Sequence, residues 1–288
     1  MLLLDTYGMT GVRPGEFSGP VDLCNRQDRV YVADQWNHRI QVLTTSLDLL
    51  STWGGYGNGD GEFNQPVSVS LSNNSVVVSE FAASRVQLLD TDGKFQAVLA
   101  TPGGAPGQVS SPTGSAFVDE QTFAVCDDDY DRIQIFGVDG VAVAAEGGTG
   151  TGLGQLSSPR GVSVTNGTIY VADRDNNRIA RYTDTLQPMP PWPRSDEVLA
   201  GPYDVSVRGT YAAVADRGNA RVVILDEKGF LADSYSGDPG FSPFSVTWIA
   251  DDEILVGDAA SNTLLRLSAR GGTRREPTIV VYTDAQGK

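Results

Sequence analysis

An acidic residue closes an apolar run at Asp34, Glu80, Asp127, Asp173, Asp216 and Asp258, at intervals of 46, 47, 46, 43 and 42 residues. Five positions later stands an arginine, at Arg39, Arg85, Arg132, Arg178 and Arg221, with Thr263 in the last case. A proline opens each unit at Pro20, Pro66, Pro112, Pro159, Pro202 and Pro243. Three markers in one register restrict the chain to an architecture of six equivalent units.

Each unit reads as strands rather than helices. PVSVSL (66–71) alternates, IYVAD (169–173) is continuously apolar, and RIQIF (132–136) is followed by a DG-type turn and a last run, giving four short strands. A small sheet that is apolar on both faces buries them only against copies of itself. The sequence therefore predicts an all-β, six-bladed β-propeller of four-stranded antiparallel blades. The blades are expected near 20–54, 66–101, 112–147, 159–190, 202–237 and 243–267, in a single domain spanning 1–288. LLDTYG (3–8) repeats LLSTWG (49–54), each followed at the same spacing by a unit proline, so residues 2–7 are expected to complete the last blade beside 264–267. Such a strand closes the ring and removes an open edge that would invite pairing with other chains. The tail, 273–288, begins with TRREP, a poor strand, and leaves the apolar TIVVYT (278–283) without a slot. That segment is expected to extend the outer strand or to dock on a partner.

IYVADRDNNRIARY (169–182), VYVADQWNHRIQVL (30–43) and the Pro159 and Gly161 start resemble NHL repeats, and the resemblance runs in register along nearly the whole chain. It implies a propeller. Members of the family bind proteins or RNA and relatives are enzymes, so the resemblance leaves function open.

Residues present in every unit are read as architectural: Asp34, Arg39, Glu80, Arg85, Asp127, Arg132, Asp173, Arg178, Asp216, Arg221 and Asp258 form a structural clamp in which the acid accepts loop amides and a guanidinium. The single histidine, His38, aligns with Ser84, Asp131, Asn177, Ala220 and Asn262, which points to a loop-capping role rather than catalysis. Cys24 and Cys126 lie in apolar runs and are read as small core residues, not a disulfide.

Thirty-six acidic against 21 basic residues give a net charge of -15, and the acids are mostly Asp, the bases mostly Arg. Such a strongly hydrated surface fits a salt-adapted protein and opposes nucleic-acid binding. RNA binding through a local sector of Arg174, Arg178, Arg181, Arg217 and Arg221 stands as an alternative. The start MLLLDTYG lacks a signal-peptide core and no run reaches membrane-spanning length, so the chain is expected to be soluble, either inside a salt-adapted cell or in an assembled particle.

One histidine does not supply a zinc site or a histidine base of the kind found in enzymatic relatives. Gluconolactonase-type propellers hold a divalent cation near the channel. Asp22 and Asp204, which align with Ser68, Gly114, Gly161 and Ser245, are the weak candidates for a metal-assisted lactonase or lyase. Otherwise no catalytic residue, metal or cofactor is expected. The glycine runs at 54–61 and 147–154 read as inter-blade loops, not phosphate cradles.

Recognition through loops remains, and non-repeating loop residues are its candidates. They are Trp36, Phe81, Asp128, Asp129 and Tyr130 in the short loops, with Tyr56 and Trp192 in the long ones. Trp36, Phe81 and Tyr130 are expected to form an aromatic arc for a protein, or less favourably a glycan. PMPPWP (188–193) reads as a stiff linker or a protruding contact.

Overall fold

The computed structural model describes residues 1–193 and 198–269. Six sheets form a ring, each an antiparallel blade of four strands, with 58% of residues in strands and 3% in helices. The first blade consists of Pro20–Arg26, Arg29–Asp34, Arg39–Thr44 and Leu49–Gly54, in that spatial order. The strand after each proline is innermost and packs against its counterparts in the two neighbouring blades, so these six strands wall the central channel. In the second blade a short strand, Gln108–Val109, adds in parallel to the outer edge of Phe95–Pro102.

Apolar runs without polar alternation follow from burial on both faces. In the second strand of the first blade, Val30 and Val32 face one neighbour and Tyr31 and Ala33 face the other. Six buried apolar clusters result, one in each gap between blades. Cys24 and Cys126 are unpaired, and burial raises both thiols, Cys24 to about 12, which keeps them protonated and inert.

The N-terminal strand, Leu2–Tyr7, pairs antiparallel with Thr263–Ser268 and closes the ring as the spacing predicted, with an irregularity between Leu3 and Asp5. The segment 278–283, expected to extend that edge or to dock, lies outside the described residues. The prolines of PMPPWP correct the reading of a linker. Pro188–Trp192 is the outer strand of the fourth blade, pairing Ile179 with Trp192 and Tyr182 with Pro188. An outermost strand needs no amide donors on its free side, so the prolines fit there.

Candidate functional site

The face carrying the 3-10 turns Gln35–Asn37, Asp128–Tyr130 and Arg217–Asn219 also carries the loops between blades. The clamp fixes both. Asp34 is fully buried. Its Oδ1 accepts the Ser18 amide, and its Oδ2 accepts from Arg39 Nε, Asn37 Nδ2 and Gln41 Nε2. Arg39 is not closed face to face on the carboxylate: its outer nitrogens donate to the carbonyls of Val12, Arg13 and Glu16 in the incoming loop. Arg178 fans in the same way over the loop before its own blade, while Arg85 and Arg132 add a second nitrogen on the acid and still reach the loop carbonyls. Glu80, Asp127, Asp173 and Asp216 repeat the acid's part, while Asp258, which lacks an arginine, accepts from Ser261 Oγ instead.

His38 is a latch between blades. Its backbone is left-handed, with φ 55°, and its Nδ1 accepts the amide of Gln65, the residue before the next blade's proline. Asp131, Asn177 and Asn262 accept the amides of Ser158, Gly201 and Gly19 in the same way, and Ser84 Oγ donates to the Ser110 carbonyl. Ala220 has the same φ, near 49°, but no acceptor to offer.

Between the blades runs a channel with two chambers. The one at the loop face encloses about 670 Å³, including its open mouth, and is lined by Val21, Val67, Trp36, Phe81, Arg160 and Tyr203 among others. The deeper one, about 960 Å³, is lined largely by polar atoms. Asp22 and Asp204 line both and so form the waist. Each carboxylate joins two blades: Asp22 accepts the amides of Leu23 and Val69, Asp204 those of Val205 and Val246. The channel wall crowds them, and a Cβ on Gly161 would lie 2.0 Å from Asp204 Oδ1, which explains a glycine there. Burial pushes the Asp22 carboxyl up to about 6, and burial together with the charge of Asp22 raises Asp204 well above the usual range. Among the described residues no group of three or more His, Cys, Asp or Glu side chains converges as a cation would require.

The recognition candidates are not one cluster. Trp36, 56% exposed, and Phe81 meet at the channel mouth. Tyr130 does not join them: its ring lies 4.7 Å from the Arg132 guanidinium and against Gly104, so the expected arc stops at two blades. Tyr56 is 72% exposed beside His38, their rings 4.7 Å apart. Asp128 binds Arg160 at 2.7 Å and Ser158 Oγ at 2.6 Å, and Asp129 accepts from Ser110 Oγ. Trp192 must be corrected outright. It is buried in the gap between the fourth and fifth blades, with Arg181 stacked 4.4 Å over it, because its strand turns the indole inward.

The arginine sector also dissolves. Arg178 and Arg221 are clamp residues and Arg181 flanks the fourth blade, leaving Arg174 and Arg217 on the loop face. There Arg160, Tyr203 and Phe244 join them, residues the sequence reading passed over. Tyr203 and Phe244 rings are 4.4 Å apart, and the guanidinium carbons of Arg160 and Arg217 lie 5.4 and 5.3 Å from the Tyr203 ring centre. The signal was present in the repeat. The position after each unit proline reads Val21, Val67, Thr113, Arg160, Tyr203 and Phe244, so it varies while its neighbour does not.

A family model for the NHL repeat matches residues 17–43 and 156–182. The chain thus carries NHL-repeat matches in two of its units and has the six blades in a ring of a β-propeller. No curated protein matches this propeller in sequence. Among solved structures, it is similar to a streptogramin B lyase, with TM-score 0.67 and 13% identity over 92% of this chain and 97% of that one. Hydrazine synthase of Kuenenia stuttgartiensis gives TM-score 0.61 and 14% identity over 88% and 96%. A chain of a nidogen/laminin complex gives 0.60 and 16% over 84% of each. Identities this low carry the fold alone, and binding and enzymatic proteins both occur among the neighbours of this propeller.

Proposed function

We propose that this NHL propeller is a non-enzymatic recognition module that binds a protein partner through its loop face. The observation that carries this reading is the mouth of the channel. The blades repeat one another in clamp and latch, yet diverge at the mouth, where Trp36, Phe81, Arg160, Tyr203 and Phe244 gather large aromatic and guanidinium groups in partly exposed positions. Aromatic and arginine anchors at a concave centre are the side chains that dominate protein interfaces. A laminin complex among the structural neighbours supports a binding role for the fold, as a lyase supports a catalytic one. Against chemistry at the waist stands the use of both oxygens of Asp22 and of Asp204 as acceptors, Oδ1 on the amide of its own strand and Oδ2 across to the next blade.

The test is capture of partners from the source at its native salt by the immobilised chain and by its Trp36→Ala and Phe81→Ala variants. The reading expects a specific protein to be lost from both variants while their unfolding midpoints match the parent. Unchanged capture by both variants would place the interface elsewhere.

A further inference from the structure

The mouth has two connected compartments. The second, about 1020 Å³ with its opening, shares Val21, Gln35, Trp36 and Tyr203 with the first and adds Arg217 and Phe244. Arg160 faces the first, Arg217 the second, and Tyr203 stands between them.

These two arginines differ from the clamp arginines in that neither gives its Nε to a carboxylate. Arg160 has one carboxylate partner, Asp128, and its buried Nε finds no acceptor. Arg217 packs its guanidinium carbon 4.2 Å from the Phe244 ring centre and donates through Nε to Ser242 Oγ at 3.2 Å, and among the described residues no carboxylate lies within 4 Å of it. Arg174, on the adjacent blade, donates to Ser158 Oγ at 3.4 Å and lies 3.7 Å from the exposed Asp175. In a chain of net charge -15, Arg217 thus stands at the mouth without a carboxylate partner among the described residues, beside Arg160, whose Asp128 pairing leaves its Nε unused. A guanidinium laid on an aromatic ring is fixed in orientation and keeps its in-plane donors free, which suits a planar two-oxygen acceptor.

We infer that the Arg160, Tyr203 and Arg217 side of the mouth binds the carboxylate of an acidic side chain on the partner, with an adjacent apolar side chain of that partner seated against Trp36, Phe81 and Val67. The inference rests on the recognition reading above and names the chemistry recognised. The apolar wall is what separates this occupant from a nucleic acid, since a phosphate chain offers it nothing to bury. A polyanion also requires several cations along its length, which a chain of net charge -15 opposes. A single carboxylate feels chiefly the guanidiniums within a Debye length, about 10 Å at 0.1 M salt.

Calorimetric titration of the full chain with short Gly/Ser peptides bearing a Leu-Glu-Leu motif, and with their Leu-Gln-Leu twins, tests this. The Glu peptide is expected to bind about tenfold more tightly, a difference that falls with salt. Arg217→Gln should abolish the preference, Arg217→Lys should restore it only in part, and the remote Arg208→Gln should preserve it. Circular dichroism and an unfolding midpoint on each variant separate loss of the site from loss of the fold. Equal affinity for both peptides, or no binding of either up to about 1 mM, overturns the proposal. Tighter binding of an oligouridylate, lost in Arg217→Gln, would also overturn it and give the site to RNA. If Trp36→Ala abolishes partner capture while Glu and Gln peptides bind alike, recognition through the mouth stands and the acidic determinant falls.

Discussion

His38 Nδ1 accepts the amide proton of Gln65 at 3.1 Å, across the seam between the first and second blades. The imidazole does the work that Asn177 and Asn262 do elsewhere with a short amide side chain at the same positive φ. His38→Asn is thus expected to leave stability within about 0.5 kcal/mol of the parent, because Asn tolerates the left-handed region and keeps an acceptor. His38→Val loses the acceptor and strains the backbone, at a cost of about 2 kcal/mol. Urea midpoints decide. Equal losses would mean that the contact of His38 with Tyr56, not the latch, is what matters.

The clamps predict a contrast between buried and exposed ion pairs. Asp34→Ala leaves Arg39, Gln41 and the Ser18 amide facing a void, and is expected to cost about 3–5 kcal/mol. Breaking the exposed Arg208 and Asp251 pair is expected to cost less than about 1 kcal/mol. A double-mutant cycle on each pair measures the coupling, and similar values for both would refute the assignment of the clamp as architecture.

The waist predicts a pH dependence with a definite sign. Asp22 and Asp204 hold their protons more tightly in the folded channel than in the open chain, where the ordinary value is 3.8. Below that value both states are protonated and the contribution is flat. As pH rises from there through about 6, where Asp22 titrates, the folded state must accept a disfavoured charge, so this contribution to stability falls. Melting temperature at fixed ionic strength is expected to drop as pH rises from about 4 through about 6, and the slope should lessen in Asp22→Asn. A melting temperature that climbs across this window would contradict the buried state of the pair.

Net charge predicts a salt dependence. With 36 acids against 21 bases, compaction gathers like charge that dilute buffer screens poorly. Raising KCl toward about 2 M, where screening reaches only a few ångströms, should raise the melting temperature. Comparison with an equally concentrated, weakly salting-out salt separates screening from strengthened apolar burial. A flat or falling curve would remove the salt-adapted reading and leave the acidity as a partner's counter-surface.

Much of the fold was legible because each marker has a local cause. The unit proline starts the inner strand, the buried acid ends the second one, and Asp34 and its counterparts need polar hydrogens from the loops wherever they occur. Strand closure was legible because LLDTYG repeats an outer strand. The site was harder. Whether an aromatic points to the mouth or into a gap depends on blade geometry rather than on residue type, so Trp192 was misplaced and Tyr203 and Phe244 were overlooked. Proline misled for a related reason, since a rule valid inside a sheet lapses at the free edge of Pro188–Trp192.

Ala220 sets one seam of the ring apart from the other five. Its five counterparts tie one blade's rim to the next, but between the fifth and sixth blades that tie is missing. Lower down the same two blades are joined firmly, by Asp204 to the Val246 amide and by Trp248 Nε1 to the Ser206 carbonyl. At the rim the seam is held by a different device, Arg217, which donates to Ser242 Oγ and lies over the Phe244 ring of the sixth blade. A carboxylate bound by Arg217 therefore engages the same guanidinium that joins these two rims, which makes this seam the one whose fastening is shared with the mouth.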